Sequence, residues 1–274
     1  EFEMSRVVLV SLAALVACAS GQLMHVIKLG KEGVQFASSQ ARPYEGRHEL
    51  NSAKQQQLAS GYVCNTIMHK YCQAVFNEAI GIDQSLDWTQ ADQILAAVEA
   101  LTETNLTDVI TVCDARSKFY QCMGNQYYTC LSLYNLMGDV GQNFAEAYEY
   151  IQMYESLGFL CNAGFEEAVN QYQCLHDVPT TSTQYQQCID DFNNNVGRNP
   201  ENLCQYVGDT SNCLNNAFAL ACSTTDPRGA GWYGCEIFKT SFDETCFYDT
   251  EIRCFVHDLP PAPPAVGQDK KKTH

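Results

Sequence analysis

The cysteines constrain this chain more than any other feature. Fourteen of its fifteen lie downstream of residue 60, at Cys64, Cys72, Cys113, Cys122, Cys130, Cys161, Cys174, Cys188, Cys204, Cys213, Cys222, Cys235, Cys246 and Cys254. Cys113, Cys122 and Cys130 follow one another at steps of nine and eight residues. Cys204, Cys213 and Cys222 repeat the rhythm at nine and nine. On a straight α-helix nine residues turn about 180° and rise about 13.5 Å, and eight rise about 12 Å. A disulfide needs Cα atoms within about 7 Å. Neighbours at this pitch therefore cannot pair along one helix, and each must reach a different segment. The spacing predicts helices stapled sideways to at least two partners. An even number of cysteines makes up to seven bridges, with the connectivity open.

Other cysteine chemistry finds no support in the spacing. There is no Cys-x-x-Cys for a zinc knuckle or a thioredoxin-type couple. The histidines (His25, His48, His69, His176, His257 and His274) form no His-x-x-x-His pair. The sequence calls for no metal and no cofactor.

An oxidising compartment requires an export route, and the N-terminal region offers one. Residues 4–21 read MSRVVLVSLAALVACASG: one basic residue, an apolar run, then small residues. This predicts a signal peptide cleaved before Gln22, with Cys18 removed along with it. No later stretch approaches about 18 consecutive apolar residues, so no membrane span is expected. The formal charge of −16 repels nucleic acid and anionic membranes. The expected location is secreted and extracellular.

Residues 22–50 are polar and aperiodic, and read as a flexible leader. The cysteine-rich helical domain is expected over residues 51–257. Its first helix carries Leu58, Tyr62, Ile67, Tyr71, Val75 and Ala79 on one face, with Asn51 or Ser52 as cap and Gly81 as stop. Asp87 caps a second helix bearing Trp88, Ala91, Leu95, Val98 and Leu101. Helices are expected over 107–123 and 126–136, broken at Gly124-Asn125. In NFAEAYEYIQMYESLGFLC the residues Phe144, Tyr148, Ile151, Tyr154 and Leu157 share a face. Pro179 and TTST punctuate the chain. A later helix starts at Asp209 or Ser211, and DPRGAG (226–231) reads as a loop. The Pro-rich residues 258–274 read as a disordered tail. Strand-type alternation is nearly absent, so the fold class is all-α, a disulfide-stapled helical bundle. The cysteine rhythm allows two related helical units, 52–176 and 183–257, or one continuous bundle.

VCDARSKFYQCMGNQYYTC followed by FLCNAGFEEAVNQYQC resembles secreted cysteine-rich helical proteins of invertebrates. The nearest named family is the nematode secreted domain of unknown function nineteen, and unnamed molluscan secreted proteins are similar. The resemblance spans about residues 60–256, in cysteine order and in the Phe119-Tyr120-x-Cys122 step. It implies an extracellular helical fold and supplies no catalytic residue.

The functional reading that follows is an extracellular binding or structural protein, whose partner is another extracellular protein or a small apolar ligand. The aromatic stretch YEYIQMYESLGF could line a cavity for such a ligand or simply form core. The alternative is a secreted enzyme, either a hydrolase or an oxidative or light-emitting enzyme on an unfamiliar scaffold. GAGWYGC (229–235) followed by CFVHD (254–258) resembles the calcium loop and Cys-x-x-His-Asp step of secreted phospholipases. That would make His257 the water activator and Asp258 a calcium ligand. EIFKTS stands where the Gly-rich half of that loop belongs, and Arg253 where a second cysteine belongs. CLHD (174–177) is a poorer match. The acidic pairs Glu166-Glu167 and Asp190-Asp191 read as solvated surface. Asn105-Leu106-Thr107 is the only N-glycosylation sequon, so Asn105 is the expected glycan site.

Overall fold

A computed structural model of the protein describes residues 23–24, 26–40, 63–140, 144–246 and 252–254. The signal peptide (4–21), residues 41–50, the stretch from 51 to 62 and the tail (258–274) lie outside the described residues. Among those described there are helices and no strand.

All fourteen cysteines pair, and the two triads pair as their pitch requires. Cys113, Cys122 and Cys130 bond Cys161, Cys72 and Cys64. Cys204, Cys213 and Cys222 bond Cys246, Cys188 and Cys174. No bridge joins two members of a triad. Counted within the first six cysteines, the first bonds the fifth, the second the fourth and the third the sixth. With Cys235 left out, the next six, Cys174, Cys188, Cys204, Cys213, Cys222 and Cys246, use the same order. Six cysteines can pair in many ways, and these two sets share one order, the first ending at Cys161 and the second starting at Cys174. The remaining bridge, Cys235–Cys254, has no counterpart in the first set.

The helix preceding the sixth cysteine is long in both sets. In the first it is Phe144–Leu160, and in the second Pro227–Thr240. These two helices pack against each other, with the Phe159 ring 5.4 Å from Trp232 and 5.5 Å from Tyr233. The helix 144–160 is buried on nearly every side. The predicted face Tyr148, Ile151, Tyr154 and Leu157 is inside, and so are Tyr150, Gln152 and Met153. A helix buried on nearly every side belongs in the centre of a fold, here with Glu149, Gln152 and Ser156 among its buried residues.

Part of the expected flexible leader is core. Leu23, Met24, Val26 and Ile27 are buried, and the Tyr233 hydroxyl donates to the Leu23 carbonyl at 2.9 Å. Lys28 Nζ lies 2.6 Å from Glu149 Oε1 on the central helix. Helix α1, Lys31–Gln40, follows. Four apolar side chains within five residues supplied the burial that the polar composition of the wider segment concealed.

Helix α2, Thr66–Ile80, is capped by Asn65, whose side chain accepts from the Met68 N–H. Gly81 ends it in the left-handed region at φ 77°. Its buried face differs from the one expected. Ile67 and Tyr71 are exposed, while Cys72, Phe76 and Ile80 point inward together with His69, Gln73 and Asn77. The Cys72–Cys122 bridge orients the helix, and buried polar groups take the positions that hydropathy assigns to solvent. The Asp87 cap of the next segment forms as expected, as a capping box with Gln90, ahead of α3, Ala91–Thr104. Then come α4 (Leu106–Met123), a turn with Gly124 at φ 53°, α5 (Tyr127–Cys130) and α6 (Leu133–Val140). The central helix is α7, followed by α8 (Phe165–Asn170) and α9 (Tyr172–Thr181), which contains Pro179. Ser182 caps α10 (Thr183–Arg198).

Two later expectations give way. Helix α11 runs unbroken from Leu203 to Ala221, with Asp209 and Ser211 inside it. The Ser211 hydroxyl donates to the Val207 carbonyl one turn back at 2.7 Å, so it caps nothing. DPRGAG is not a loop. Asp226 caps and Pro227 opens helix α12, 227–240, before the short α13, Asp243–Cys246. Gly231 and Gly234 serve close packing on α11. A Cβ on Gly231 would lie 2.8 Å from the Asn215 carbonyl oxygen, and one on Gly234 would lie inside the Phe218 ring's contact distance. Gly231→Ala is therefore expected to destabilise by about 2 kcal/mol in denaturant unfolding, overpacking outweighing the gain in helix propensity. Gly197→Ala on α10, with no atom in reach of the new Cβ, should cost nothing.

Candidate ligand pocket

A buried polar chain starts on α2. His69, Gln73 and Asn77 stand four apart and so share a face. Gln73 Nε2 donates to Asn77 Oδ1 at 2.7 Å. Asn77 Nδ2 donates to the carbonyls of Asp83 and Leu86 at 3.0 and 2.8 Å, tying the loop after α2 to the helix. That tie positions Asp87, Trp88 and Thr89 beside His69. From the central helix, the hydroxyls of Tyr150 and Tyr154 both donate to Gln73 Oε1. His69 Nε2 lies 2.9 Å from the Tyr150 oxygen. Tyr150 has one proton and gives it to Gln73, so the bond to His69 runs from Nε2–H to the phenol oxygen. The imidazole is thereby fixed in one tautomer, with Nδ1 as an acceptor.

Burial sets the charge states. His69 is 4 % exposed. Desolvation lowers its pKa to about 4, reinforced by Lys70 and opposed by Asp87, so the ring is neutral at physiological pH. Burial likewise drives the Tyr150 and Tyr154 phenols well above their ordinary range. Burial pushes the Asp87 carboxyl up, but bonds from Thr89 and Lys70 outweigh it and hold the group low. Lys70 Nζ is 3.2 Å from Asp87 Oδ2, and its side chain is largely exposed.

A cavity of about 300 Å³ opens over this network. Trp88, Leu136 and the Cys64 half of the Cys64–Cys130 bridge give it apolar wall. His69, Asp87, Asn135 and Tyr150 give it polar wall, with Thr66 and Lys70 also lining it. Of the aromatic stretch expected to line an apolar cavity, Tyr150 reaches this space. Tyr154 stacks on Phe119 at 4.5 Å, and Tyr148 meets the Thr245 hydroxyl, both as packed core. The expected apolar lining is thus replaced by a mixed one.

The residues singled out in the sequence stand elsewhere. His257 and Asp258 lie outside the described residues. The stretch compared with a calcium loop, 229–235, is helical within α12, and Tyr233 is buried. Its carbonyls belong to a helix and are not splayed to hold a cation, so the phospholipase comparison fails at this loop. In CLHD, His176 Nδ1 lies 2.9 Å from Asp177 Oδ1, and the ring stacks on Tyr172. Glu166 is exposed and Glu167 accepts from Gln171 at 2.8 Å, while Asp190 and Asp191 are exposed. Asn105 is exposed and caps α4, its Oδ1 accepting from the Asp108 N–H. Cys64, His69 and Cys130 bring ligand-type atoms within 4.8 Å of one another, but both sulfurs are bonded to each other rather than thiolates. No helix among the described residues is long and apolar enough to cross a membrane.

Comparison with known proteins adds no assignment. No family model, no curated protein and no solved structure matches this chain.

Proposed function

We propose that the protein is a secreted extracellular binding protein that holds one small molecule in the cavity over His69, Asp87 and Tyr150. The observation that carries this reading is the cavity itself, whose polar groups converge beside the Trp88 wall over the His69–Tyr150–Gln73–Asn77 hydrogen-bonded chain. Its volume falls at the small end of ligand pockets. Seven bridges support an extracellular setting, in line with the signal-like segment and with the resemblance to secreted invertebrate proteins. The ligand in this reading is small and polar-ended rather than purely apolar. Asn105 carries the glycan.

Native mass spectrometry of the secreted chain tests it. A small-molecule adduct that survives desalting and is released by unfolding is expected. Thr66→Trp, at an exposed helix start on the cavity wall, should abolish the adduct without changing stability. Bare protein in every preparation, or an adduct indifferent to Thr66→Trp, would reject the reading.

A further inference from the structure

The hydrogen-bond inventory of the cavity wall specifies what its ligand must offer. Most side-chain donors there point away from the space. Tyr150 O–H goes to Gln73 and Gln73 Nε2 to Asn77. Thr89 Oγ1 goes to Asp87 Oδ1 at 2.7 Å. Both protons of Asn135 Nδ2 are used, toward the Thr129 carbonyl and Ser132 Oγ. His69 gives its ring proton to Tyr150. Acceptors remain: His69 Nδ1 and Asn135 Oδ1 receive no hydrogen bond among the described residues, and Asp87 Oδ2 meets only the exposed Lys70 ammonium. The remaining donors are that ammonium, the Trp88 indole N–H, the Thr66 hydroxyl and the second Gln73 Nε2 proton.

We propose that the cavity takes a small primary ammonium bearing an aromatic ring, its charged end on Asp87, Asn135 and His69 and its ring against Trp88. An ammonium has three donors and no acceptor, which complements three acceptors. Lys70 already places an ammonium on Asp87 from the solvent side, at the outer edge of the same carboxylate. A neutral His69 accepts where an imidazolium would repel. Trp88 on the cavity wall supplies an aromatic ring of the kind that favours cations. The chain's net charge of −16 enriches cations around the whole molecule. The proposal rests on the cavity being a ligand site.

Isothermal titration of the full secreted chain with three matched probes separates the possibilities. The probes are 2-phenylethylammonium, 2-phenylethanol and phenylacetate. The ammonium is expected to bind ~10-fold or more tightly than either other probe, as a charge-assisted hydrogen bond requires. Asp87→Asn keeps a helix-capping side chain and should cost the ammonium ~10-fold while leaving the alcohol unchanged. Lys70→Gln should strengthen ammonium binding severalfold by removing a like charge. Lowering the pH through about 4 should weaken ammonium binding, because His69 gains a charge beside the Lys70 ammonium while Asp87, held low, keeps its own. Equal or tighter binding of the alcohol, blocked by Thr66→Trp, would overturn the ammonium and leave the cavity reading intact. Tighter binding of phenylacetate that needs Lys70 would do the same. Failure of all three probes, with no adduct in native mass spectra, would overturn both.

Discussion

Gln73→Leu should destabilise the protein by about 4 kcal/mol, although leucine matches glutamine in size and is favoured in helices. Gln73 is 1 % exposed and sits between three partners that are also buried. Its Oε1 accepts from Tyr150 and Tyr154, and its Nε2 donates to Asn77. Leucine removes all three bonds and leaves two phenol donors and one amide oxygen without partners. Each orphaned buried group costs about 1–3 kcal/mol, and the added apolar burial returns about 1–2. Tyr154→Phe is the control. It removes one hydroxyl and leaves Gln73 Oε1 bonded to Tyr150, so a loss of about 1 kcal/mol is expected. Urea unfolding of the oxidised protein reads both, as a lower midpoint at unchanged slope. A Gln73→Leu variant within 1 kcal/mol of the parent would mean that the network contributes little. The same variant should also loosen the Asp83–Leu86 loop that Asn77 ties down, and so reduce ligand affinity.

Gln73 also shows why the site was harder to read than the fold. The pitch of Cys113, Cys122 and Cys130 excludes self-pairing by helix geometry alone, and the bridges obey it. The Asp87 cap and the Gly81 stop are local chemistry, and both form where expected. Hydropathy misplaced the face of α2, because three polar residues four apart look like a solvent stripe. His69, Gln73 and Asn77 were legible as a periodic set, but their partners Tyr150 and Tyr154 lie about eighty residues away in sequence. Long-range pairing also hid the role of Gly231 and Gly234, which resemble loop glycines until α11 is placed against them. Leu23 to Ile27 were lost in a polar average. The pairing order that the two sets of cysteines share exists only once the chain is folded.

Glu99 and His69 should give the protein opposing pH dependences that a single substitution uncovers. Burial raises the Glu99 carboxyl to about 7, with Glu103 and Glu149 adding to the shift and Lys28 and the Val26 N–H working against it. The unfolded value is near 4.5, so between pH 4.5 and 7 the native state holds a proton that the unfolded state has released. Stability from this group therefore falls as pH rises through that window, by about 2 kcal/mol after allowance for its partial exposure. His69 runs the other way. Its native value of about 4 lies below an unfolded value near 6.5, so the unfolded state binds the extra proton. Stability from His69 rises with pH between 4 and 6.5, by about 3 kcal/mol. The windows overlap and the slopes largely cancel. Glu99→Gln keeps an acceptor for the Val26 N–H and removes one slope. The variant should match the parent at pH 4.5 and be more stable by about 2 kcal/mol at pH 7.5. Taking the difference between variant and parent in urea unfolding at each pH cancels the other carboxylates. A difference that stays constant from pH 4.5 to 7.5 would show that the Glu99 carboxyl titrates as it does in water. A rising difference would place a carboxyl that ionises near neutrality beside Val26 and Lys28, where the buried N-terminal segment meets α3 and the central helix. Docking of that segment would then tighten on acidification, while ligand binding at His69 weakens only below about pH 4.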